Sequence, residues 1–359
     1  MQTPGARNPR ADLTSWGNPV PPSPGKHAHP ASTICSLCGG TDLLPLYHGV
    51  HDRLGVTKKT WNFRRCAQCG SAVLHPCPSP EALKDFYPDV YTFYPEVSQP
   101  GTLKSVWSFL EYYIFYVPQY VAQAHILRSF LKSRVGSAAS VLDVGCGRGL
   151  RMIALKKAGF NVCGLDFDES SVRYVRDTLG IPAFAGDIHD IARHYPDTPF
   201  DVLTAFYVLE HVTDLLSTLE TLKQSVRPGG WIIAAVPLTD SPQARLCGPK
   251  WSQITEAPRH TLNPSQRGMR LALERAGFSC IHIRPDALLS CAAVLSLSLA
   301  PRATTSHLYA AISWRHFLSR IAGGVLTLLS IPLCFVENYL LRRPALGIVF
   351  AQRPEEPEA

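Results

Sequence analysis

Two short apolar runs enclose a stretch of helix-forming residues within residues 141–166. The first run leads into Gly145, Gly147 and Gly149 at alternate positions, followed by residues 150–158. This order predicts a strand, a tight turn and a helix. Glycine suits such a turn because it adopts positive φ without steric cost and lets a ligand lie against the backbone. The helix also begins with unpaired N–H groups, so a cofactor site is expected here.

Two acidic residues near the turn indicate which of several possible cofactors binds there. Asp143 lies inside the end of the first strand, where it would repel a pyrophosphate, and the glycine spacing differs from the dinucleotide pattern G-x-G-x-x-G. Asp166 ends the second apolar run, where a carboxylate accepts hydrogen bonds from ribose hydroxyls. S-adenosylmethionine carries a sulfonium cation and an ammonium group but no phosphate. The two carboxylates therefore favour S-adenosylmethionine over a nicotinamide dinucleotide.

The chain resembles the class I S-adenosylmethionine-dependent methyltransferases in five motifs that occur in order: VLDVGCGRG at 141–149, GLDFD at 164–168, AGDIHD at 185–190, FDVLTAFYVLEHVTD at 200–214 and VRPGGWIIAAVP at 226–237. A looser resemblance extends to about residue 284. The resemblance implies an α/β, Rossmann-like fold with a seven-stranded sheet in the order 3-2-1-4-5-7-6. Strand seven would be antiparallel, and the cofactor would lie at the carboxyl ends of the strands.

The same resemblance implies a set of cofactor-binding residues along these motifs. They are Asp143, Gly145, Cys146, Gly147, Asp166, Phe167, Asp187, Ile188, Phe206 and Tyr207. Asp143 and its glycines are expected at the methionine moiety, Asp166 at the ribose, and Asp187 with Ile188 at the adenine. Asp187 has a second interpretation, as the cap of the following helix.

Two histidines are candidates for a general base. Methyl transfer is an in-line displacement, so the enzyme mainly positions the acceptor, and a base assists when the acceptor is a hydroxyl. His211 follows the fourth strand and is the first candidate, although it could equally hold the loop. His260 is the second, and its neighbour Arg259 is a candidate contact for an anionic substrate group. The helix after His260 is predicted to have Asn263 as its N-cap.

Four cysteines in two C-x-x-C-G knuckles predict a structural zinc ribbon over residues 31–79. Each knuckle places two thiolates on one tight turn, and four sulfurs close a tetrahedron around zinc. The alternative is that they are reduced core cysteines. A closed site leaves no open coordination position, so its role would be folding or docking. The ligands would be Cys35, Cys38, Cys66 and Cys69.

The rest of the chain divides by composition. We expect a disordered tail over 1–30, a helical cap or linker over 80–135 that includes an aromatic helix at 106–121, the methyltransferase domain over 136–284, an apolar helical insert over 285–342, and the last strand and a tail over 343–359.

The insert contains two apolar stretches, 287–300 and 321–336. Both are shorter than the roughly 18–20 residues that span a bilayer, and Pro332 interrupts the second. They predict interfacial or re-entrant helices, whose cationic flanks suit anionic headgroups. The alternative is a soluble helical cap packed against the sheet or in a dimer.

Composition limits which kinds of binding partner and which cellular compartment are expected. The formal net charge is +7, hydrophobic residues make up 46% and mean hydropathy is +0.01, which favours an anionic lipid surface or anionic substrate. The basic residues are scattered, so nucleic acid is not the expected partner. Eleven cysteines, an odd number, indicate a reducing compartment, and residues 1–30 lack the apolar core of a signal peptide. We expect a cytoplasmic protein, peripheral on the cytoplasmic face of the inner membrane.

These observations converge on methyl transfer to a small-molecule, sugar or lipid-linked glycan acceptor, with O-methylation expected. The stretch 78–88 after the second knuckle resembles bacterial methyltransferases with an N-terminal zinc-binding module, several of which act on sugars. One alternative is a non-catalytic module that recruits a partner to a membrane. The other is an NAD(P)-dependent oxidoreductase, which the internal Asp143 disfavours.

Overall fold

The computed structural model describes residues 34–87, 113–114, 117–136, 138–195, 199–301 and 314–355. The predicted tail lies outside these residues, as does most of the predicted aromatic helix. The strands are β1 (Leu43–His51), β2 (Thr60–Cys66), β3 (Ala72–Leu74), β4 (Ser140–Val144), β5 (Asn161–Asp166), β6 (Ala183–Ala185), β7 (Phe200–Phe206), β8 (Val226–Pro237), β9 (Leu262–Asn263), β10 (Ser279–Pro285) and β11 (Leu346–Gln352). The helices are α1 (Pro80–Lys84), α2 (Val117–Arg134), α3 (Leu150–Lys157), α4 (Glu169–Arg173), α5 (Ile191–His194), α6 (Leu215–Ser225), α7 (Pro242–Cys247), α8 (Gln266–Arg275), α9 (Leu288–Leu299) and α10 (Trp314–Phe335).

Seven strands form the central sheet in the order β10-β11-β8-β7-β4-β5-β6. Strands β8, β7, β4, β5 and β6 are parallel, whereas β11 is antiparallel to both β8 and β10. Counted along the sheet, this is the predicted order 3-2-1-4-5-7-6 with an antiparallel seventh strand. The predicted α/β methyltransferase fold is therefore confirmed.

Both faces of this sheet are buried. In β4, Val141 packs into one apolar layer while Leu142 and Val144 pack into the other, as the two-residue period of a strand requires. Helix α2 covers one layer, where Phe130 stacks against Phe350 with ring centroids 4.5 Å apart. Double coverage explains why the strands read as nearly continuous apolar runs. It also leaves the carboxyl edge of the sheet as the place where polar side chains gather.

The cysteine-containing segment forms a second, four-stranded sheet in the order β1-β2-β3-β9. Its last strand belongs to the stretch after β8, because Ala72 pairs with Asn263. Ser265 therefore caps helix α8 by accepting a hydrogen bond from the Gly268 N–H. The prediction of Asn263 as N-cap was wrong, since pairing with β3 makes Asn263 the last residue of strand β9. The ribbon and the methyltransferase sheet thus share one continuous segment.

The apolar insert forms two helices with different exposure. Helix α9 is largely buried, and its Ser296 hydroxyl donates to the Gly323 carbonyl of α10. The prediction of an interfacial helix therefore does not hold for α9. Helix α10 runs through Pro332, and the helical winding continues as a wider turn to Leu340, so the predicted interruption was wrong.

Residues Ile321–Leu340 are long and apolar enough to cross a membrane, by length and composition alone, and 33% of that window is buried. The length predicted from the sequence for this apolar segment was too short, because the prediction ended the segment at residue 336. Proline removes one backbone donor but does not stop a helix whose flanking turns are packed. Here Cys334 is buried within the fold, while Leu329 and Leu340 are exposed.

Candidate functional site

The glycine turn after β4 has the geometry that its sequence predicts. Gly145, Gly147 and Gly149 have φ values of 68°, 50° and 74°. A Cβ added at Gly145 would lie only 2.4 Å from Val208 Cγ2, in the loop after β7. Gly145 is therefore required both for its positive φ and for the close approach of that loop. The glycine turn and the loop after β7 therefore lie side by side at the carboxyl edge of the central sheet.

Asp166 is oriented toward this turn by two backbone donors. Its carboxylate accepts hydrogen bonds from the Gly147 N–H at 2.7 Å and from the Asp168 N–H at 3.0 Å. Burial raises the pKa of Asp166, while these two donors oppose the shift. Each carboxylate oxygen can accept a further hydrogen bond, so the group is positioned to bind hydroxyls.

Asp143 lies fully buried at the end of β4. Its Oδ1 accepts a hydrogen bond from the Thr204 hydroxyl at 2.7 Å and lies 3.7 Å from Arg151 Nε. Its Oδ2 has no partner among the described residues, and burial raises the pKa of this carboxyl. An unsatisfied buried oxygen is costly, so a cationic ligand group at this position would stabilise the site.

The remaining predicted adenosine contacts lie at the same edge of the sheet. Phe167 follows β5 and is 65% exposed, which leaves its ring available to a ligand. Ile188 is half-buried, and Asp187 caps the short turn that begins at Ile188 by accepting from the His189 N–H. The capping interpretation of Asp187 is thus observed. Cys146 is buried, and burial raises the pKa of its thiol well above the usual value, so only its backbone remains for a cofactor.

Phe206 and Tyr207 lie at the end of β7. Phe206 is buried, with the Arg151 guanidinium 4.6 Å from its ring centroid. Tyr207 adopts a φ of 60°, and its hydroxyl donates to Asp286, which also accepts from the Gln123 side chain at 2.8 Å. This buried network, which sequence reasoning missed, joins α2, β7 and the end of β10. It holds Tyr207 in a backbone conformation that bulky residues rarely adopt.

The two candidate histidines meet at this edge. The rings of His211 and His260 lie 4.6 Å apart, nearly perpendicular at 84°. Glu210 completes the group, since one ligand atom from each of the three residues lies within 4.8 Å of the others. The same donor set could accommodate a divalent cation. The sequence suggested the histidines separately, and the fold brings them into contact.

Burial controls the charges in this group. Glu210 is fully buried, neither carboxyl oxygen has a partner among the described residues, and burial raises its pKa to about 8. Burial likewise lowers the pKa of His211 to about 4 and that of His260 well below its ordinary value. At neutral pH the group therefore consists of two neutral imidazoles beside a largely protonated carboxyl.

Hydrogen bonding identifies the basic nitrogen of His211. Its Nδ1 lies 3.2 Å from the Arg259 carbonyl and 3.2 Å from the Tyr87 hydroxyl. A carbonyl can only accept, so this contact requires a proton on Nδ1 and leaves Nε2 as the unprotonated nitrogen. Tyr87 also stacks edge-on against Phe167, with centroids 5.5 Å apart. Tyr87 therefore links the predicted cofactor edge to the histidine pair.

Arg259 does not face a substrate, and that prediction was wrong. Its side chain is fully buried and contacts Asp52 at 2.5 Å, Glu256 at 3.3 Å and the Phe86 carbonyl at 2.8 Å. The principal partner, Asp52, lies in the ribbon segment, far away in the sequence. Trp251 is also fully buried and packs in the core.

The four predicted zinc ligands lie together in the ribbon. Their sulfurs are all within 4.8 Å of one another, and two pairs are separated by 3.7 and 3.5 Å. Four thiolates about 2.3 Å from zinc would be about 3.8 Å apart, so the donor set fits a tetrahedral zinc ion. Gly39 and Gly70 adopt φ values of 78° and 80° where each knuckle turns. The residues concerned are Cys35, Cys38, Cys66 and Cys69.

Comparison with known proteins matches part of the chain to methyltransferases. Residues 113–283 match the family model described as a methyltransferase domain. Ubiquinone biosynthesis O-methyltransferase of Thiobacillus denitrificans is 36% identical over 97 residues, which are 26% of this chain and 41% of the relative. The Pseudomonas aeruginosa enzyme of the same name is 32% identical over 124 residues. The match covers 33% of this chain and 53% of that enzyme's length.

The chain thus spans about half or less of the length of these curated relatives. A solved structure of a SAM-dependent methyltransferase from Archaeoglobus fulgidus is 16% identical with a TM-score of 0.40, and the match covers 67% of this chain and 99% of the other. That structural likeness is too low to support an inference about activity.

Proposed function

We propose that this chain, which carries a class I methyltransferase domain, transfers the methyl group of S-adenosylmethionine to a hydroxyl of a small acceptor. The observation that supports this most is the position of His211 and His260. A pair of neutral imidazoles lies beside the edge where the glycine turn, Asp143 and Asp166 gather. Neutral imidazole is the protonation state that accepts a proton from a hydroxyl.

In this proposal the predicted residues hold the cofactor by charge and hydrogen bonding. Asp143 offers its unpartnered Oδ2 to the cationic methionine end, and Asp166 offers its fixed carboxylate to the ribose hydroxyls. Phe167 and Ile188 supply apolar surface for the adenine. The bound cofactor supplies an electrophilic methyl group. Backbone N–H groups of the glycine turn complete the site.

The protein's own contribution is to position the acceptor and remove its proton. His211 Nε2 accepts the hydroxyl proton, because the Arg259 carbonyl keeps the other nitrogen protonated. His260 lies next to it, and its Nδ1 has no partner among the described residues, so it can orient the acceptor or take the base role. Tyr87 connects the base to Phe167 on the cofactor side.

Three observations support the proposed class of acceptor. The relatives' name supports a small hydroxylated acceptor, and the resemblance over 78–88 supports a sugar or a glycan intermediate. Exposed apolar residues on α10, among them Leu328, Leu329 and Leu333, favour a lipid-linked acceptor presented at a membrane. We therefore include peripheral contact with the inner membrane, and a structural zinc ion in the ribbon, in the proposal.

The test starts with binding and proceeds to turnover. Calorimetric titration of the zinc-loaded chain with S-adenosylmethionine, and separately with NADH, should give saturable binding of the former only. Turnover is then followed as S-adenosylhomocysteine formed with a panel of phenolic and sugar hydroxyl acceptors. His211→Gln should reduce kcat by roughly 10²–10⁴-fold, the usual contribution of a general base, with unchanged cofactor affinity.

A matched control is His282→Gln, an exposed histidine on β10. Full turnover by both His211→Gln and His260→Gln would remove the histidine pair from the mechanism. A folded chain that binds neither titrant would exclude methyl transfer itself and favour a non-catalytic module that recruits a partner to a membrane.

A further inference from the structure

A cavity of about 240 Å³ lies where the ribbon meets the central sheet, and none of its lining residues belongs to the histidine group. Four arginines from four different segments surround it: Arg65 of β2, Arg245 of α7, Arg267 of α8, and Arg343, which precedes β11. We refer to these residues and the cavity between them as the arginine cleft. Its walls are therefore built by the tertiary fold.

The arginine cleft carries positive charge that the protein does not neutralise. All four arginines are exposed, and no ion pair among the described residues includes any of them. The cleft contains one carboxylate, Asp240, whose Oδ1 accepts a hydrogen bond from the Gln266 N–H. Cys69 also lines the cleft, and four thiolates around one zinc ion would add two negative charges beside it. Four guanidinium groups against these charges and Asp240 still leave a positive excess that favours an anion.

Some arginines elsewhere in the protein have acidic partners. Arg53 pairs with Glu256, Arg227 with Asp201 at 2.6 Å, and Arg176 with Asp177 at 3.2 Å, although that last pair is more than half exposed. Exposed arginines outside the cleft, such as Arg128 and Arg134, also have no ion pair among the described residues. What distinguishes the four arginines of the cleft is that they converge on one cavity.

The backbone segments that carry these arginines are fixed to one another. The Gln243 N–H and side-chain amide donate to the buried Glu337 carboxylate at 2.6 and 2.8 Å, which joins α7 to the wider turn that follows α10. The Gln266 amide donates to the Arg342 carbonyl at 3.2 Å, and the Ser265 N–H donates to the Ser71 hydroxyl at 3.0 Å. The backbone framework of the cleft is therefore held by contacts within the protein itself.

We propose that the arginine cleft binds a phosphate-bearing ligand. Guanidinium groups bind phosphate oxygens through paired, charge-assisted hydrogen bonds, and several that converge on a cavity suit a phosphate or diphosphate group. The phosphate belongs either to a soluble phosphate ester or to a lipid headgroup. Leu246 and Leu340, which are 72% and 67% exposed, lie on the segments that the Gln243–Glu337 contact joins, so these segments also carry exposed apolar side chains that suit the acyl part of a lipid.

Titration of the zinc-loaded full chain with inorganic pyrophosphate tests the proposal without reference to catalysis. At about 0.15 M salt, where long-range screening is already strong, we expect one saturable site. The double variant Arg245→Gln/Arg343→Gln should bind pyrophosphate at least about tenfold more weakly, because two charge-assisted contacts are lost. The control Arg128→Gln/Arg134→Gln removes the same charge from exposed positions on α2 and should bind like the wild type.

Sedimentation with phosphatidylcholine vesicles, with and without phosphatidic acid, distinguishes the two sources. Sedimentation that requires phosphatidic acid, is competed by pyrophosphate and is lost in the Arg245→Gln/Arg343→Gln variant identifies a lipid headgroup. Pyrophosphate binding without sedimentation identifies a soluble phosphate ester. The proposal is overturned if pyrophosphate shows no saturable binding, or if the cleft variant binds it as tightly as the wild type and the control.

Discussion

Arg259 and Asp52 form an ion pair at 2.5 Å with both side chains fully buried, although 207 positions separate them in the sequence. Arg259 carries the backbone carbonyl that contacts His211, and Asp52 belongs to the segment between β1 and β2. The ribbon therefore supports the loop on which the histidine pair depends. A contact of this kind makes the N-terminal sheet part of the site's scaffold.

Asp52→Asn should destabilise the protein strongly. The substitution leaves the Arg259 guanidinium buried with a weaker set of acceptors, and breaking a buried pair costs about 3–5 kcal/mol. Urea unfolding followed by circular dichroism measures the change. The control is Asp177→Asn at the exposed Arg176 pair, where a change within about 1 kcal/mol is expected. Equal, small effects at both positions would contradict the importance of the buried pair.

Glu210→Gln should change how stability depends on pH. The pKa of Glu210 is raised from an ordinary value of 4.5 to about 8, so between these values the folded state holds a proton that the unfolded state has released. Its contribution to stability therefore falls as pH rises from about 4.5 to about 8. The glutamine variant lacks this loss, and its stability relative to the wild type should increase across that window by up to about 5 kcal/mol.

Unfolding free energies at pH 5 and pH 8 test this difference. Glu220→Gln, at an exposed position on α6, is the matched control and should leave the pH dependence unchanged. If Glu210→Gln and the wild type respond to pH in parallel, Glu210 titrates at an ordinary pKa and is not desolvated as the structure indicates.

Zinc content tests the ribbon. The four sulfurs of the knuckles fit a closed tetrahedral site, so about one zinc ion per chain is expected by elemental analysis. Cys38→Ser should abolish this content and lower the thermal midpoint, since metal binding is coupled to folding. Cys280→Ser changes an exposed cysteine on β10 and should keep both. Retention of zinc by Cys38→Ser would disprove the assignment.

Asp166→Asn should weaken S-adenosylmethionine binding by roughly 2 kcal/mol, which is the scale of hydrogen bonds to a charged acceptor. Calorimetry with the folded variant measures the loss. Asp177→Asn again serves as the control, because it removes an exposed carboxylate from the segment after α4. An unchanged affinity in Asp166→Asn would exclude this carboxylate from the cofactor site.

Local pattern predicted a large part of the architecture. The apolar runs around Gly145 and Asp166, and the last strand near residue 346, were located to within about a residue or two, because strand and turn signals depend on neighbouring residues. The cysteine knuckles were predictable for the same reason, since each pair of thiolates lies on one short turn. Predictions from local pattern were wrong where a segment distant in the sequence contacts the residue. Asn263, for example, pairs with β3 instead of capping a helix.

The tertiary structure alone decided which side chains meet. Their positions after two predicted strands made His211 and His260 candidates, but only the fold brings their rings together and encloses Glu210 beside them. It also buries Arg259 against Asp52 and gathers four arginines around one cleft. The sequence by itself located the strands, the glycine turn and the cysteine knuckles, because these depend on periodicity and local turns, and its motifs carried the family resemblance that implied the fold class. Burial and long-range contacts decided the protonation states of the histidine group and the ion-pair partner of Arg259. Desolvation and Coulomb interactions depend on distances that only folding creates.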